Sequence, residues 1–369
     1  MFFFDFFNFF TKIGEYLTFS FDFQLLFLHY YVLKVVEMCY NVYRVIILKV
    51  CILGTGAFGI ALASVLDRNK KDIIMWSKFR NEILDLETSR VFDKLDSYNI
   101  PNSIKFTNNI KEAIEDVDLI IIAVPANYVY DTVLLLKDYY KSYQHICIAS
   151  KGMEESRGRF LHEIVSDILN TDKIGIISGP SFAIDIVNCV PVGVTLASNN
   201  NETSDLISNY LSCDSFKLSI SNDMIGVSLC GCLKNIIAIG SGIIEGMGYP
   251  ISSNCLLISM AIKDIKTIIK KLGGNQDTIL ELSGVGDIIL TCTSTKSRNY
   301  SFGKLIGEAD NKQVIDNYVH NYTVEGVSSL INVNNIVDNL HIDAPFIKIM
   351  YDVVLGIKSK EHLINYISK

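Results

Sequence analysis

Lys234 stands in "GVSLCGCLKNIIAIGSGII", residues 226–244, among small and apolar side chains with no acid within several positions. An ammonium in such a setting is costly to desolvate and gives up its proton more readily than a solvated lysine. An amine poised that way takes a proton from a hydroxyl and returns it to a ketone oxygen, acid–base work in either direction. The bland alternative is a lysine that snorkels from a buried helix to solvent.

A second cluster lies near the start of the ordered pattern. Gly54, Gly56 and Gly59 give "GTGAFG" the G-x-G-x-x-G spacing, between an apolar run and a helix-forming segment. The first glycine permits a tight turn, the second lets backbone approach a pyrophosphate, and the third lets the helix pack on the strand with its N-terminus at the phosphates. A glycine-rich turn with no ligand is the alternative. NAD-selective sites carry an acid about 20 residues further on. Here "MWSKFR" offers Trp76, Ser77, Lys78 and Arg80 and no carboxylate. Lys78 and Arg80 would neutralise a ribose 2′-phosphate, which favours NADPH; otherwise both are solvated surface cations. Pro125 in "AVPANYV" fixes a loop that ends a strand against the cofactor.

These residues need a frame. After "RVIILKVCIL" come the apolar runs "DIIMW" (72–76), "DLIIIAVP" (118–125), "HICIAS" (145–150), "KIGIIS" (173–178) and "PVGVTLAS" (191–198). Helix-compatible segments separate them at 108–116, 127–140 and 156–170. Alternation of this kind predicts an α/β fold with a Rossmann-type, doubly wound parallel sheet. From about Asp223 the periodicity is helical throughout. The expected organisation is an N-terminal extension, 1–47, a dinucleotide-binding domain, 48–222, and an all-helical domain, 223–369.

Six motifs occur in order: "GTGAFGIALA", "SKGME" (150–154), "SGPSFA" (178–183), "LKNIIAIGSGIIEGMG" (233–248), "SGVGDIILTCTSTKSRNYSFG" (283–303) and "VEGV" (324–327). Together they resemble the bacterial-type glycerol-3-phosphate dehydrogenases, over about 48–365. The resemblance implies interconversion of glycerol 3-phosphate and dihydroxyacetone phosphate with NAD(P)H, supply of glycerol 3-phosphate to phospholipid synthesis, and a homodimer. It makes Lys234 the proton acceptor, Asn235 its neighbour that orients it, and Asp287 the partner of Lys234 or of the substrate hydroxyls. Thr291 lies one turn beyond Asp287. Lys151 would touch cofactor and substrate; Gly179 and Ser181 would bind substrate. Ser297, Arg298 and Asn299 would clamp the phosphate at a helix start, with Arg298 in bidentate fashion. Ala57, Phe58, Ala183, Arg298 and Glu325 would line the cofactor. Phe58 replaces the family's usual tryptophan. After "GMG" the family's G-D-N and Arg-Gly-Leu-x-Glu pattern is lost, with Met260, Ala261 and Asp264 near the latter positions.

Composition narrows the classes. A net charge of −7 over 369 residues argues against a nucleic-acid-coating protein. Nine cysteines show no disulfide or zinc spacing, and the six histidines form no ligand pattern, so the chain reads as metal-free with reduced thiols. Eleven of the twenty phenylalanines precede position 28. The extension is either an organelle-directing leader, for a plastid for instance, or dispensable. Residues 48–369 are expected to take no integral membrane role and to be cytoplasmic unless that leader directs them. Two rival readings stand beside this one: a reductase of the same architecture acting on another hydroxyacid or imine, and a non-catalytic dinucleotide-binding protein.

Overall fold

The computed structural model describes Tyr30, Lys34 and residues 49–154, 158–308, 318 and 324–369. The chain divides into two units, Met1–Leu48 and Lys49–Lys369. Expectations about residues 1–47, Cys39 among them, fall outside the described residues apart from Tyr30 and Lys34.

In the second unit the apolar runs become strands β1 (Lys49–Leu53), β2 (Asp72–Trp76), β3 (Val91–Phe92), β4 (Tyr98–Asn99), β5 (Lys105–Thr107), β6 (Leu119–Ile122), β7 (His145–Ile148), β8 (Ile174–Ser178), β9 (Val192–Ala197) and β10 (Phe216–Ser221). β3 and β4 form a small hairpin. The other eight make one sheet in the order β5-β2-β1-β6-β7-β8-β9-β10. β6 and β8 are buried along their whole length, as strands covered by helices on both faces must be. The first six strands of that order are parallel. Strand order reverses between β1 and β6, and the crevice outside their carboxyl ends is where such sheets bind ligands.

The sheet is not parallel throughout. β9 pairs antiparallel with β8, and β10 follows β9 in parallel. The link from Ser178 to Val192 holds only the helix Ala183–Val187, five residues and about 7.5 Å long. That is too short to return the chain along β8, so β9 comes back in the opposite sense. The 11-residue helix Asn201–Leu211 is long enough, and it restores a parallel crossover to β10.

From Met224 onward every regular element among the described residues is helical. The helix Met224–Gly246 is the hub, with 19 of its 23 residues buried. Its length and apolar character would suffice to cross a bilayer, yet here they make it the core around which the other helices pack. Its closest neighbour is Arg298–Glu308. A methyl group on Gly303 would overlap the Ile239 carbonyl, and one on Gly242 would overlap the Tyr300 carbonyl. The two backbones therefore touch through glycines. Gly303→Val is expected to lower stability by about 3 kcal/mol through overpacking at this crossing. A urea midpoint equal to that of the unsubstituted protein would contradict this.

The helix Ile251–Lys271, whose sequence departs from the family pattern, has a structural task. Buried Asp264 accepts the backbone N–H groups of Phe346 and Ile347 at 2.7 and 3.4 Å, capping the helix Pro345–Val354. Asn254 donates to the Cys292 carbonyl at 3.3 Å. These contacts account for both residues without involving Lys234.

Candidate active site

β1 runs straight into the glycine turn. Gly54 adopts φ 117°, and a Cβ there would come 2.8 Å from the Ala123 carbonyl oxygen at the end of β6. A Cβ on Gly59 would overlap the Gly54 carbonyl, so that position also excludes a side chain. A Cβ on Gly56 would meet nothing within 4 Å. Gly56 begins the helix Ala57–Arg68 with no side-chain cap, leaving first-turn N–H groups directed at open space. An uncapped helix start beside an open cradle fits the diphosphate of a dinucleotide. Pro125 begins the helix Ala126–Leu136 on the other side of the crevice, and exposed Tyr128 lies in its first turn.

Next to this cradle three charged side chains converge. Lys234 Nζ donates to Asp287 Oδ1 at 2.6 Å, and Lys151 Nζ donates to Asp287 Oδ2 at 3.0 Å. Lys151 also reaches the Gly179 carbonyl at 3.3 Å and stands 5.9 Å from the centre of the Phe58 ring. The side chains of Lys234 and Asp287 are 8% and 1% exposed, while that of Lys151 is 19% exposed. Lys234 thus points inward to an ion pair instead of snorkelling. Two ammoniums share one carboxylate in a nearly dry setting.

Several local features aim these groups. Asp287 begins the helix Asp287–Cys292 immediately after a π-helical turn, Leu282–Gly286. Within that turn Gly284 takes φ −92° and ψ −107°, and a Cβ would overlap the Ile279 backbone. Ser283 N–H donates to Thr195 Oγ1 at 3.1 Å, which ties the turn to β9. Thr291 Oγ1 donates to the Asp287 carbonyl at 2.6 Å and lies 3.3 Å from its Oδ1. Ser181 Oγ donates to the same Gly179 carbonyl that Lys151 meets, at 3.1 Å. Asn235 is buried beside Lys234.

Burial lowers the pKa of Lys234 to about 8, even though Asp287 opposes the shift. Burial alone would push the Asp287 carboxyl up, but the ammoniums of Lys151 and Lys234 outweigh it and hold the group below the usual carboxylate range.

Not every expected residue joins this network. Ser297 Oγ accepts the Tyr300 N–H at 3.3 Å, so its hydroxyl caps the helix Arg298–Glu308. Asn299 Oδ1 accepts the Gly326 N–H at 2.9 Å and joins that helix to Glu325–Asn339, whose first residue is Glu325. Arg298 is exposed at the helix start, outside the triad. Ala183 opens the short helix after Phe182. Two features escape a sequence reading. Lys296 lies over the Phe182 ring at 5.7 Å, linking the "TKSRN" and "GPSFA" segments. A carboxylate does stand at the end of β2, contrary to expectation: Ser77 Oγ donates to Glu82 Oε2. It comes from the following helix, five residues on, beyond the strand end where such an acid is usually sought.

A doubly wound sheet with a glycine-turn cradle, joined to a helical domain that supplies a buried lysine, defines a Rossmann-type nicotinamide-dependent oxidoreductase. The family models for the N-terminus and the C-terminus of NAD-dependent glycerol-3-phosphate dehydrogenase match residues 49–204 and 223–365, and the chain belongs to this family. It is 32% identical over 322 residues to the glycerol-3-phosphate dehydrogenase [NAD(P)+] of Fusobacterium nucleatum, covering 86% of this chain and 95% of that protein. It is 32% identical to the enzyme of the same name from Staphylococcus haemolyticus, over 83% of this chain and 93% of that one. Among solved structures, glycerol-3-phosphate dehydrogenase from Coxiella burnetii superposes with a TM-score of 0.82 at 29% identity, over 88% of this chain and 99% of that one.

Proposed function

We propose that the chain interconverts dihydroxyacetone phosphate and sn-glycerol 3-phosphate with NAD(P)H, and that Lys234 carries the proton. The enzyme class follows from family membership and from near full-length similarity to enzymes of that name. The single observation behind the proton role is Lys234, buried and bonded to Asp287 beside the dinucleotide cradle.

A nicotinamide held in the cradle would supply the hydride chemistry at substrate C2. In the oxidative direction the neutral amine of Lys234 removes the C2 hydroxyl proton; in the reductive direction the ammonium returns it to the ketone oxygen. Asp287 fixes the amine in place, with Thr291 steadying the carboxylate and Asn235 packed alongside. Lys151, reaching from the end of β7 toward both Phe58 and Gly179, supplies positive charge near the developing oxyanion. The substrate phosphoryl group lies at the start of Arg298–Glu308, gripped by Arg298 with Ser297 and Asn299 forming the wall, and Ser181 and the Gly179 segment close the other side. Gly54, Gly56, Ala57, Phe58 and Gly59, with Pro125, Ala183 and Glu325, are the residues that would hold the cofactor.

Arg298→Met is expected to lower kcat/KM for dihydroxyacetone phosphate about a hundredfold, because a phosphoryl dianion loses its bidentate partner. The same variant should change kcat/KM for unphosphorylated dihydroxyacetone far less. An equal loss with both ketones would remove Arg298 from the phosphate site. No turnover of either ketone by the unsubstituted protein would remove the proposed function itself.

We further propose that the enzyme is a cytoplasmic homodimer that feeds phospholipid synthesis, on the strength of its similarity to the bacterial enzymes. Light scattering should then give twice the 41.4 kDa chain mass, and a monomer mass would refute the dimer. A fluorescent fusion gathered in plastids would refute the cytoplasmic address.

A further inference from the structure

We infer that Glu82, held against the end of β2 by Ser77, selects NADH over NADPH. The inference rests on the cofactor cradle described above and reverses the preference that Lys78 and Arg80 suggest in the sequence.

Leu53 pairs in register with Trp76, and the Trp76 carbonyl accepts the Gly54 N–H at 2.8 Å. Ser77 therefore stands opposite the first glycine of the turn, where the adenosine ribose of a dinucleotide lies in this fold. Its side chain is buried and committed on two sides. Ser77 Oγ accepts the Phe79 N–H at 3.3 Å and donates to Glu82 Oε2 at 2.5 Å. Glu82 belongs to the first turn of the helix Arg80–Ser89 and is half-buried, whereas Lys78 and Arg80 are exposed.

A carboxylate fixed in this place accepts the ribose 2′-hydroxyl and repels a 2′-phosphate. The two cations act from solvent, where screening weakens them over about 8 Å at physiological salt. The carboxylate is anchored and the cations are not, so the repulsion prevails.

The same bridge recurs at the end of β5, where Thr107 Oγ1 donates to Glu112 and accepts the Asn109 N–H. That recurrence shows what the bridge does mechanically: it folds a helix-borne glutamate back onto a strand end. Of these two strands only β2 adjoins β1 and its glycine turn, so of the two trapped carboxylates only that of Glu82 meets the cofactor.

The test measures kcat/KM for NADH and NADPH with the full chain, as wild type, Glu82→Gln and Ser77→Ala. Binding is followed in parallel by quenching of Trp76, the one tryptophan in the sequence and the residue next to Ser77. Wild type should prefer NADH by tenfold or more in both readouts. Glu82→Gln keeps an acceptor for Ser77 and so preserves the fold, but should shrink that ratio at least fivefold, mainly by improving NADPH. Ser77→Ala, which frees the carboxylate, should fall between the two. A wild-type preference for NADPH, or a ratio unmoved in Glu82→Gln, overturns the inference. Discriminating binding without turnover would leave it standing while refuting the proposed reaction.

Discussion

Lys234→Met is expected to reduce turnover about a thousandfold in both directions while leaving cofactor binding nearly unchanged. A positioned general acid–base group contributes about 10²–10⁴ in rate, and a buried site gives water little chance to substitute. The fold should tolerate the change. Asp287 keeps Lys151 as counter-ion at 3.0 Å, so no carboxylate is left bare, and a methionine fills much the same volume. Lys234→Arg separates charge from proton transfer. It retains a cation for Asp287, yet a guanidinium holds its proton at any working pH and should be equally inactive. Both are read as NADH oxidation with dihydroxyacetone phosphate, alongside Trp76 quenching by NADH. Turnover within tenfold of wild type in either variant would take Lys234 out of the reaction.

The second large effect belongs to Asp287. Asp287→Ala leaves the ammoniums of Lys151 and Lys234 facing one another with no anion between them. Breaking a buried charge pair on one side costs about 3–5 kcal/mol, and Lys234, the more buried partner, is expected to relieve it by losing its proton. Turnover should fall at least a hundredfold, because the amine is no longer aimed and the ketone finds no ready donor. Urea unfolding of the variant measures the stability change. The pH dependence carries a sign as well. The Asp287 carboxyl is held below its ordinary range, so the stability it contributes is present above about pH 3.9 and fades as pH falls toward its native value. The stability gap between wild type and Asp287→Ala should therefore be full above about pH 3.9 and narrow as pH falls below it, the variant's own stability depending less on pH in that range. An unchanged urea midpoint would show that the carboxylate does not balance the two lysines.

Much of this arrangement is legible in the sequence. A strand buried on both faces must be apolar along its length, which is why "DIIMW" and "DLIII" read clearly as β2 and β6. β10 does not, because "FKLSIS" lies at the sheet edge with mostly half-buried or exposed positions. β5 has three residues, too few for a pattern. The reversal at β9 depends on the length of a connection and not on the strand's own composition. Lys234 is conspicuous because a lone cation in an apolar helix has few bland explanations. Asp287 is harder to find, since its partnership spans 53 residues of chain and depends on a π-helical turn that no local periodicity announces. Glu82 escapes a search confined to the strand end because its carboxylate arrives from the next helix. Asn299 looks like a ligand in "SRN", yet its carbonyl oxygen already serves the Gly326 N–H.

The ionisation of Lys234 is the most direct point of attack. We would measure kcat/KM for glycerol 3-phosphate oxidation between pH 6 and 10 in wild type and Asp287→Asn. An amine that burial has brought to about 8 gives a rise with that midpoint, and loss of the neighbouring carboxylate moves the midpoint to lower pH. A wild-type midpoint near the ordinary lysine value of about 10.4, or one unmoved by the substitution, would mean that Lys234 is not the proton carrier.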